Sequence, residues 1–184
     1  MAKFQHEDPN TGTKIWETGT IILYLIERYD TENQLHYDSL DKKILCKQWL
    51  MFQVSGQGPY FGQFTYLHPE KLPSAIERYS NEIKRVLGIL DGVLGAELNK
   101  EWLVGDRITY TDLAFMPWND RLDATLGVPD DKKFEGFIHV KAWHERMTKR
   151  PSWVKAMELR ARLMDEQGLD WNGMPKGTTN FQGY

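Results

Sequence analysis

Apolar positions recur at helical spacing along nearly the whole chain, and only the first sixteen residues break that rule. Those residues read as one hairpin. Its strands are predicted at 2–6 and 13–16, joined by a turn through Glu7-Asp8-Pro9-Asn10-Thr11-Gly12, where proline, asparagine and glycine crowd together. A helix is predicted over 18–29. It is apolar on nearly every side across 21–26, which calls for burial over most of its circumference, beneath the rest of the chain or a second subunit. Residues 30–36 are polar and read as a linker. Leu40, Ile44, Leu45, Trp49, Leu50 and Phe52 trace the next helix, which should bend or break at Gly56, Gly58 and Pro59. Ile76, Tyr79, Ile83, Val86, Leu87, Leu90, Val93 and Leu94 form the cleanest amphipathic stripe and predict a long helix from about 72 to 98. Pro117 should kink a helix over 113–126 and turn Trp118, Asn119 and Arg121 away from the preceding turn. Val140, Trp143 and Met147 belong to a helix that stops at Arg150-Pro151, and Val154, Met157 and Leu163 to a last one. From about residue 168 the period is lost and an irregular tail is expected. No strand pattern follows residue 20, so the fold class is mainly α.

Two polar pairs interrupt this pattern. Thr109 stands three residues before Asp112, with Ile108 before it and Leu113 after, the arrangement of a capping box with an apolar clasp. Its effect is on folding, worth on the order of 1 kcal/mol or more. Glu17 and Thr18 stand at the start of the apolar helix. Thr18 reads as a plain N-cap. The same place also offers free backbone N–H groups, the positive end of a helix dipole, a carboxylate and a hydroxyl, which together suit a small molecule bearing both a carboxylate and an ammonium.

Composition narrows the setting. A chain of 184 residues can hold one good core, or one domain with part of a second. With a net charge of −3 and no basic tract, nucleic acid is not an expected partner. The apolar run 21–26 is too short to span a bilayer and the N-terminus lacks the zones of a secretory signal, so a cytoplasmic protein without a membrane partner is expected. A single cysteine, Cys46, excludes an intrachain disulfide and fits a reducing compartment. The five histidines lack ligand spacing, and no metal is expected. The seven tryptophans suit a thick helical core or a pocket for an aromatic or polyene-like ligand.

Three motifs carry a resemblance. Glu17-Thr18-Gly19-Thr20-Ile21-Ile22-Leu23-Tyr24-Leu25 resembles the Glu-Ser-x-x-Ile-x-x-Tyr-Leu element of glutathione transferases, with Thr for Ser. Trp102-Leu103-Val104-Gly105-Asp106-Arg107-Ile108-Thr109-Tyr110-Thr111-Asp112-Leu113-Ala114-Phe115 resembles the helical-domain signature of that superfamily. Trp49-Leu50-Met51-Phe52-Gln53-Val54-Ser55-Gly56-Gln57-Gly58-Pro59 is similar to the fungal subclass that includes the yeast nitrogen regulator and prion protein. The resemblance covers roughly residues 10 to 155. It implies a glutathione-transferase C-terminal helical domain over 34–184, preceded over 1–33 by a remnant hairpin and one helix of a thioredoxin-like domain. It implies glutathione as cofactor, with Glu17 and Thr18 holding its γ-glutamyl end.

The chain also departs from the family pattern. It begins inside the hairpin, so the cis-proline that normally leads into it would fall at or before Met1, and the Tyr, Ser or Cys that usually acts on the thiol is missing. The N-terminal portion is expected to have been lost with function kept, lost together with catalysis, or cut off by a shortened gene model. A thiol is mostly protonated at neutral pH, so groups that favour the thiolate must come from the helical domain. Ser55, Gln57 and Asn119 are the candidates to act on the thiol. Phe52, Gln53, Tyr60, Phe61, Trp118 and Arg121, with Tyr66, are candidates to line a pocket for an apolar reactant, although core packing explains most aromatics at such spacing. Addition of the thiol to an electrophilic carbon gives a transferase. Reversible addition to a conjugated alkene lets the former double bond rotate before elimination and gives a glutathione-dependent cis-trans isomerase. The resemblance makes an unsaturated substrate of fungal secondary metabolism reasonable, in a homodimer whose second subunit helps cover the apolar helix. The alternative is a non-catalytic glutathione-binding or regulatory interaction protein.

Overall fold

A computed structural model describes residues 6–67, 72–170 and 175–177, without the side chains of 66 and 67. The expected strand residues 2–5, the side chain of Tyr66 and most of the tail after 170 lie outside the described residues. The chain forms two compact units, 1–143 and 144–184.

The first unit opens with a two-stranded antiparallel hairpin, β1 (His6–Glu7) and β2 (Lys14–Ile15), in the register His6 opposite Ile15 and Glu7 opposite Lys14. Asp8 closes it. Its N–H donates to Thr13 O at 3.0 Å and its carbonyl accepts from Gly12 N at 2.8 Å, where φ is +70°. A backbone in that region favours glycine. Helix α1 (Thr18–Tyr29) comes next, with the predicted bounds but not the predicted burial. Only Gly19 and Ile26 are buried, while Leu25 and Tyr29 are 40% and 47% exposed. The apolar stretch is broader than the face the hairpin and α2 can cover.

The linker is more structured than its polarity suggests. Asp30 accepts from the backbone N–H groups of Gln34 and Leu35 and pairs with His36 at 2.8 Å. Tyr37 donates its hydroxyl proton to Asp106 at 2.8 Å, and Arg107 reaches back to the carbonyls of Asn33 and His36. These bonds tie 30–37 to the loop before α5.

Helix α2 (Leu40–Phe52) does not break at its glycines. It runs through a π-helical segment, Gln53–Gln57, into α3 (Gly58–Leu67). Proline at position 59 has no N–H and its ring would press on the carbonyl four residues earlier, and the wider π turn relieves both effects within a continuous rod. Helix α4 (Pro73–Leu94) carries the predicted stripe, with Ile83, Val86, Leu87, Leu90 and Leu94 buried, and packs along α3. The capping box is present: Thr109 starts α5 (Tyr110–Asp120) together with Asp112. The helix predicted over 113–126 is divided at Arg121, beyond Pro117, and the short α6 (Leu122–Leu126) comes after it. Cys46, Leu50, Phe61, Phe115, Met116, Leu122 and Trp143 lie in the core of this unit.

Helix α7 (Ile138–Thr148) carries the chain into the second unit, which holds α8 (Pro151–Glu166) and a bridge between Leu169 and Pro175. Pro151 stands in the first turn of α8, where its missing N–H is no loss. No helix among the described residues is long and apolar enough to cross a membrane.

Candidate functional site

The start of α1 is built from both sides. Thr18 is the first helical residue and does not cap the helix; Glu17 occupies the cap position, at φ 69°, ψ 120°. Such a conformation costs a non-glycine residue about 1–3 kcal/mol and persists only when its surroundings impose it. The first turn leaves the N–H groups of Thr18, Gly19 and Thr20 without intrahelical acceptors. Beside them the side chains of Glu17 and Thr18 are exposed and have no partner among the described residues. An exposed carboxylate, a hydroxyl and three unpaired amides therefore converge within four residues.

The hairpin fixes this turn from one side. Asp8 has no exposed surface and accepts hydrogen bonds from the hydroxyls of Tyr24 at 2.5 Å and Tyr29 at 2.6 Å, both on α1. Those two hydroxyls, Tyr24 first, hold its carboxyl well below the usual carboxylate range against the opposing effect of burial. From the other side, Gly19 lies on α2 and the π segment. A Cβ on Gly19 would stand 3.3 Å from Val54 Cγ1 and 4.0 Å from Leu50 Cδ2.

The π segment presents two faces. Outward, Ser55 is exposed, and its hydroxyl donates to Met51 O at 2.7 Å. Inward, three amides form a chain. Gln53 Nε2 donates to Gln57 Oε1 at 3.2 Å, and Gln57 Nε2 donates to Asn119 Oδ1 at 2.8 Å and to Phe115 O at 3.4 Å. Gln57 and Asn119 have no exposed surface, and Asn119 Nδ2 has no hydrogen-bond partner among the described residues. Of the three residues expected to act on a thiol, only Ser55 faces outward. Gln57 and Asn119 are enclosed and bonded to each other, so as placed they cannot touch a molecule at the start of α1.

The expected pocket residues divide in the same way. Phe61 is fully buried, with its ring centroid 6.1 Å from that of Trp118 in an edge-on contact, and Phe52 packs with Trp49 and Phe115. Trp118 lies over Gly58 and Gly62, close to the π segment, and remains half-buried. Tyr60 turns away toward Tyr79 of α4 and is approached by Arg85. Gln53 is buried in the amide chain. Arg121 is half-buried, 3.7 Å from Asp120. The structure thus brings Trp118 and Phe52 against the π segment, at Gly58 and Gly56, encloses Phe61, and turns Tyr60 toward α4.

Sequence reasoning missed Gly19 and Asp8 as parts of this site. A glycine in the first turn of a helix was a signal of close backbone approach, whereas nothing in the turn sequence marked Asp8 as a partner for two tyrosines. It also missed a cavity of about 240 Å³ among α1, α2 and the start of α5, lined by Ile26, Glu27, Lys47, Tyr110 and the buried Cys46. Burial raises the Cys46 thiol to about 11, leaving it protonated near neutral pH.

A family model described as the glutathione S-transferase C-terminal domain matches residues 57–151. The glutathione S-transferase-like protein tpcF of Aspergillus fumigatus is 43% identical over 159 residues, covering 82% of this chain and 71% of that protein. Protein URE2 of Candida maltosa is 36% identical over 183 residues, covering 80% of this chain and 55% of that protein. Among solved structures, the glutathione transferase URE2P6 of Phanerochaete chrysosporium, in complex with oxidized glutathione, is 40% identical with a TM-score of 0.75, covering 84% of this chain and 70% of that one.

Proposed function

The chain belongs to the glutathione S-transferase family, in its Ure2-type branch, and from that premise we propose that it is a glutathione-dependent enzyme acting on a hydrophobic unsaturated or electrophilic small molecule. The observation that carries the proposal is the start of α1. Glutathione's γ-glutamyl end bears an ammonium and a carboxylate, and the unpartnered Glu17 carboxylate, the Thr18 hydroxyl and the free first-turn amides match them in charge and in donor type. Bound there, glutathione supplies a thiol nucleophile.

In this reading Glu17 and Thr18 orient the tripeptide. Ser55, on the outer face of the π segment, is the group free to reach the thiol once its hydroxyl turns from Met51 O. Trp118 and Arg121, both half-buried, wall the side where an apolar reactant lies. A stable adduct makes the enzyme a transferase, and return of the thiol after bond rotation makes it a cis-trans isomerase. An unsaturated metabolite of fungal secondary metabolism, a cytoplasmic homodimer and a division into a thioredoxin-like remnant at 1–33 and a helical domain at 34–184 belong to the same proposal. The exposed apolar residues Leu25 and Tyr29 of α1 and Leu40 and Ile44 of α2 are the surface a second subunit would cover.

One observation favours the non-catalytic reading. The hydroxyl of Ser55 is occupied by Met51 O, and Gln57 and Asn119 are enclosed, so none of the three expected groups is poised on a thiol. Incubation of the protein with glutathione and a panel of conjugated polyenes and aryl halides separates the readings. Glutathione-dependent adducts or geometric isomers establish the enzyme, and glutathione binding with neither product leaves a binding protein.

A further inference from the structure

We propose that Gln57 and Asn119 are positioning residues for the glutathione site: their buried amide chain fixes the register of the π segment, which seats Val54 against Gly19 and so sets the first turn of α1. The inference rests on the proposed binding of glutathione at that turn.

The backbone alone does not determine that register. Pro59 excludes an ordinary helix hydrogen bond, and Gly56 and Gly58 have no side chains to hold the turn in place. Relaxation to α-helical geometry would remove the extra residue of the wide turn and rotate the rod on its far side by about 100°. Val54 would then leave Gly19.

The amide chain is directional: Phe115 O accepts from Gln57 Nε2, which faces α5, and Gln57 Oε1 faces Gln53. Asn119 must then present Oδ1, and its Nδ2 is left without a partner among the described residues although the residue has no exposed surface. Leucines at 53, 57 and 119 would fill this volume with no orphaned amide donor. An interior that keeps a directional amide chain, with a donor unsatisfied at its end, is suited to holding register rather than to filling space. The other end of the lever is the Gly19 contact, where a Cβ would already press on Val54 at 3.3 Å.

The test compares wild type, Glu17→Ala, the triple variant Gln53→Leu/Gln57→Leu/Asn119→Leu and Val54→Ala. The triple variant removes all three amides of the chain, the unpaired Asn119 donor included, so it should unfold at a temperature close to wild type. Val54→Ala cuts the far end of the lever without touching the amides. Two quantities are read: the calorimetric Kd for glutathione, and the NMR signals of the Thr18, Gly19 and Thr20 amides without ligand. In both variants glutathione should weaken by about tenfold or more, and those amide signals should move. If wild type binds glutathione and Glu17→Ala does not, yet both lever variants bind as wild type with unmoved amides, the positioning role is overturned and the glutathione reading stands. If wild type does not bind glutathione, that reading falls. The amide signals still decide whether the chain sets the first turn of α1: shifts support it, and their absence overturns it.

Discussion

Gly19 of α1 packs tightly on Val54 of the π segment, the glycine's Cβ position lying 3.3 Å from Val54 Cγ1, closer than most side-chain contacts. Through that contact the end of the molecule that carries an exposed Glu17 and Thr18 rests directly on the helical rod that carries Ser55. The start of α1 and the wide turn are two sides of one joint.

Gly19→Val drives a branched side chain into this joint. It should destabilise the protein by about 1–3 kcal/mol, the usual range for overpacking, and displace the first turn of α1. Urea unfolding measures the loss, and pairing Gly19→Ala with Val54→Ala should recover most of what Gly19→Ala alone loses.

Asp112 is engaged far beyond its capping box. One oxygen accepts from the N–H and hydroxyl of Thr109, at 2.8 and 2.9 Å, and the other from Leu103 N and Trp143 Nε1, both at 3.0 Å. Removing it orphans buried donors from three segments. Asp112→Ala should therefore cost about 3 kcal/mol or more, well above the roughly 1 kcal/mol of an ordinary cap, as read from thermal or urea unfolding.

Asp8 gives the hairpin a defined acid response. Its carboxyl lies below its ordinary value because the Tyr24 and Tyr29 hydroxyls favour the ionised form. A depressed folded value means that its contribution to stability is complete above the ordinary carboxylate range and is lost as pH falls below it. The protection factors of the hairpin amides, exchange being corrected for its intrinsic pH dependence, should therefore hold constant from neutrality down to about pH 4 and fall only in stronger acid. In Asp8→Asn they should be lower than in wild type near neutrality and change little with acid.

Much of the fold is legible in the order of residues because its signals are local. The α1 bounds, the α4 stripe and the Thr109–Asp112 box each depend on neighbours within a few residues. The failures share a cause as well. Gly56, Gly58 and Pro59 signal a helix end when read locally, and it took the interior bonds of Gln57 to α5 to show how the rod continues. Pro117 signals a kink within one helix over 113–126, whereas α5 runs through it to Asp120 and the helix is divided at Arg121. For the site, Glu17 and Thr18 were readable from their place before an apolar helix. The positive φ of Glu17, the enclosure of Gln57 and Asn119, and the Asp8 anchor depend on contacts distant in sequence, which no spacing reveals.

Cys46 should behave as an inert thiol. With its pKa raised to about 11 by burial, the thiolate fraction at pH 8 is smaller than that of a free cysteine by on the order of a hundredfold. Labelling by a disulfide reagent should be slow in the native protein and immediate in denaturant. Fast native labelling would show that the cavity beside Tyr110 opens.

The most direct measurement is a calorimetric titration of glutathione into the wild-type chain and into Glu17→Gln, which keeps the size of the side chain and removes its charge. Saturable binding to wild type, weakened by about tenfold or more in the variant, is the expected outcome for a carboxylate that holds the γ-glutamyl ammonium. No binding to wild type, or equal affinity in the two proteins, would mean that the start of α1 does not hold glutathione.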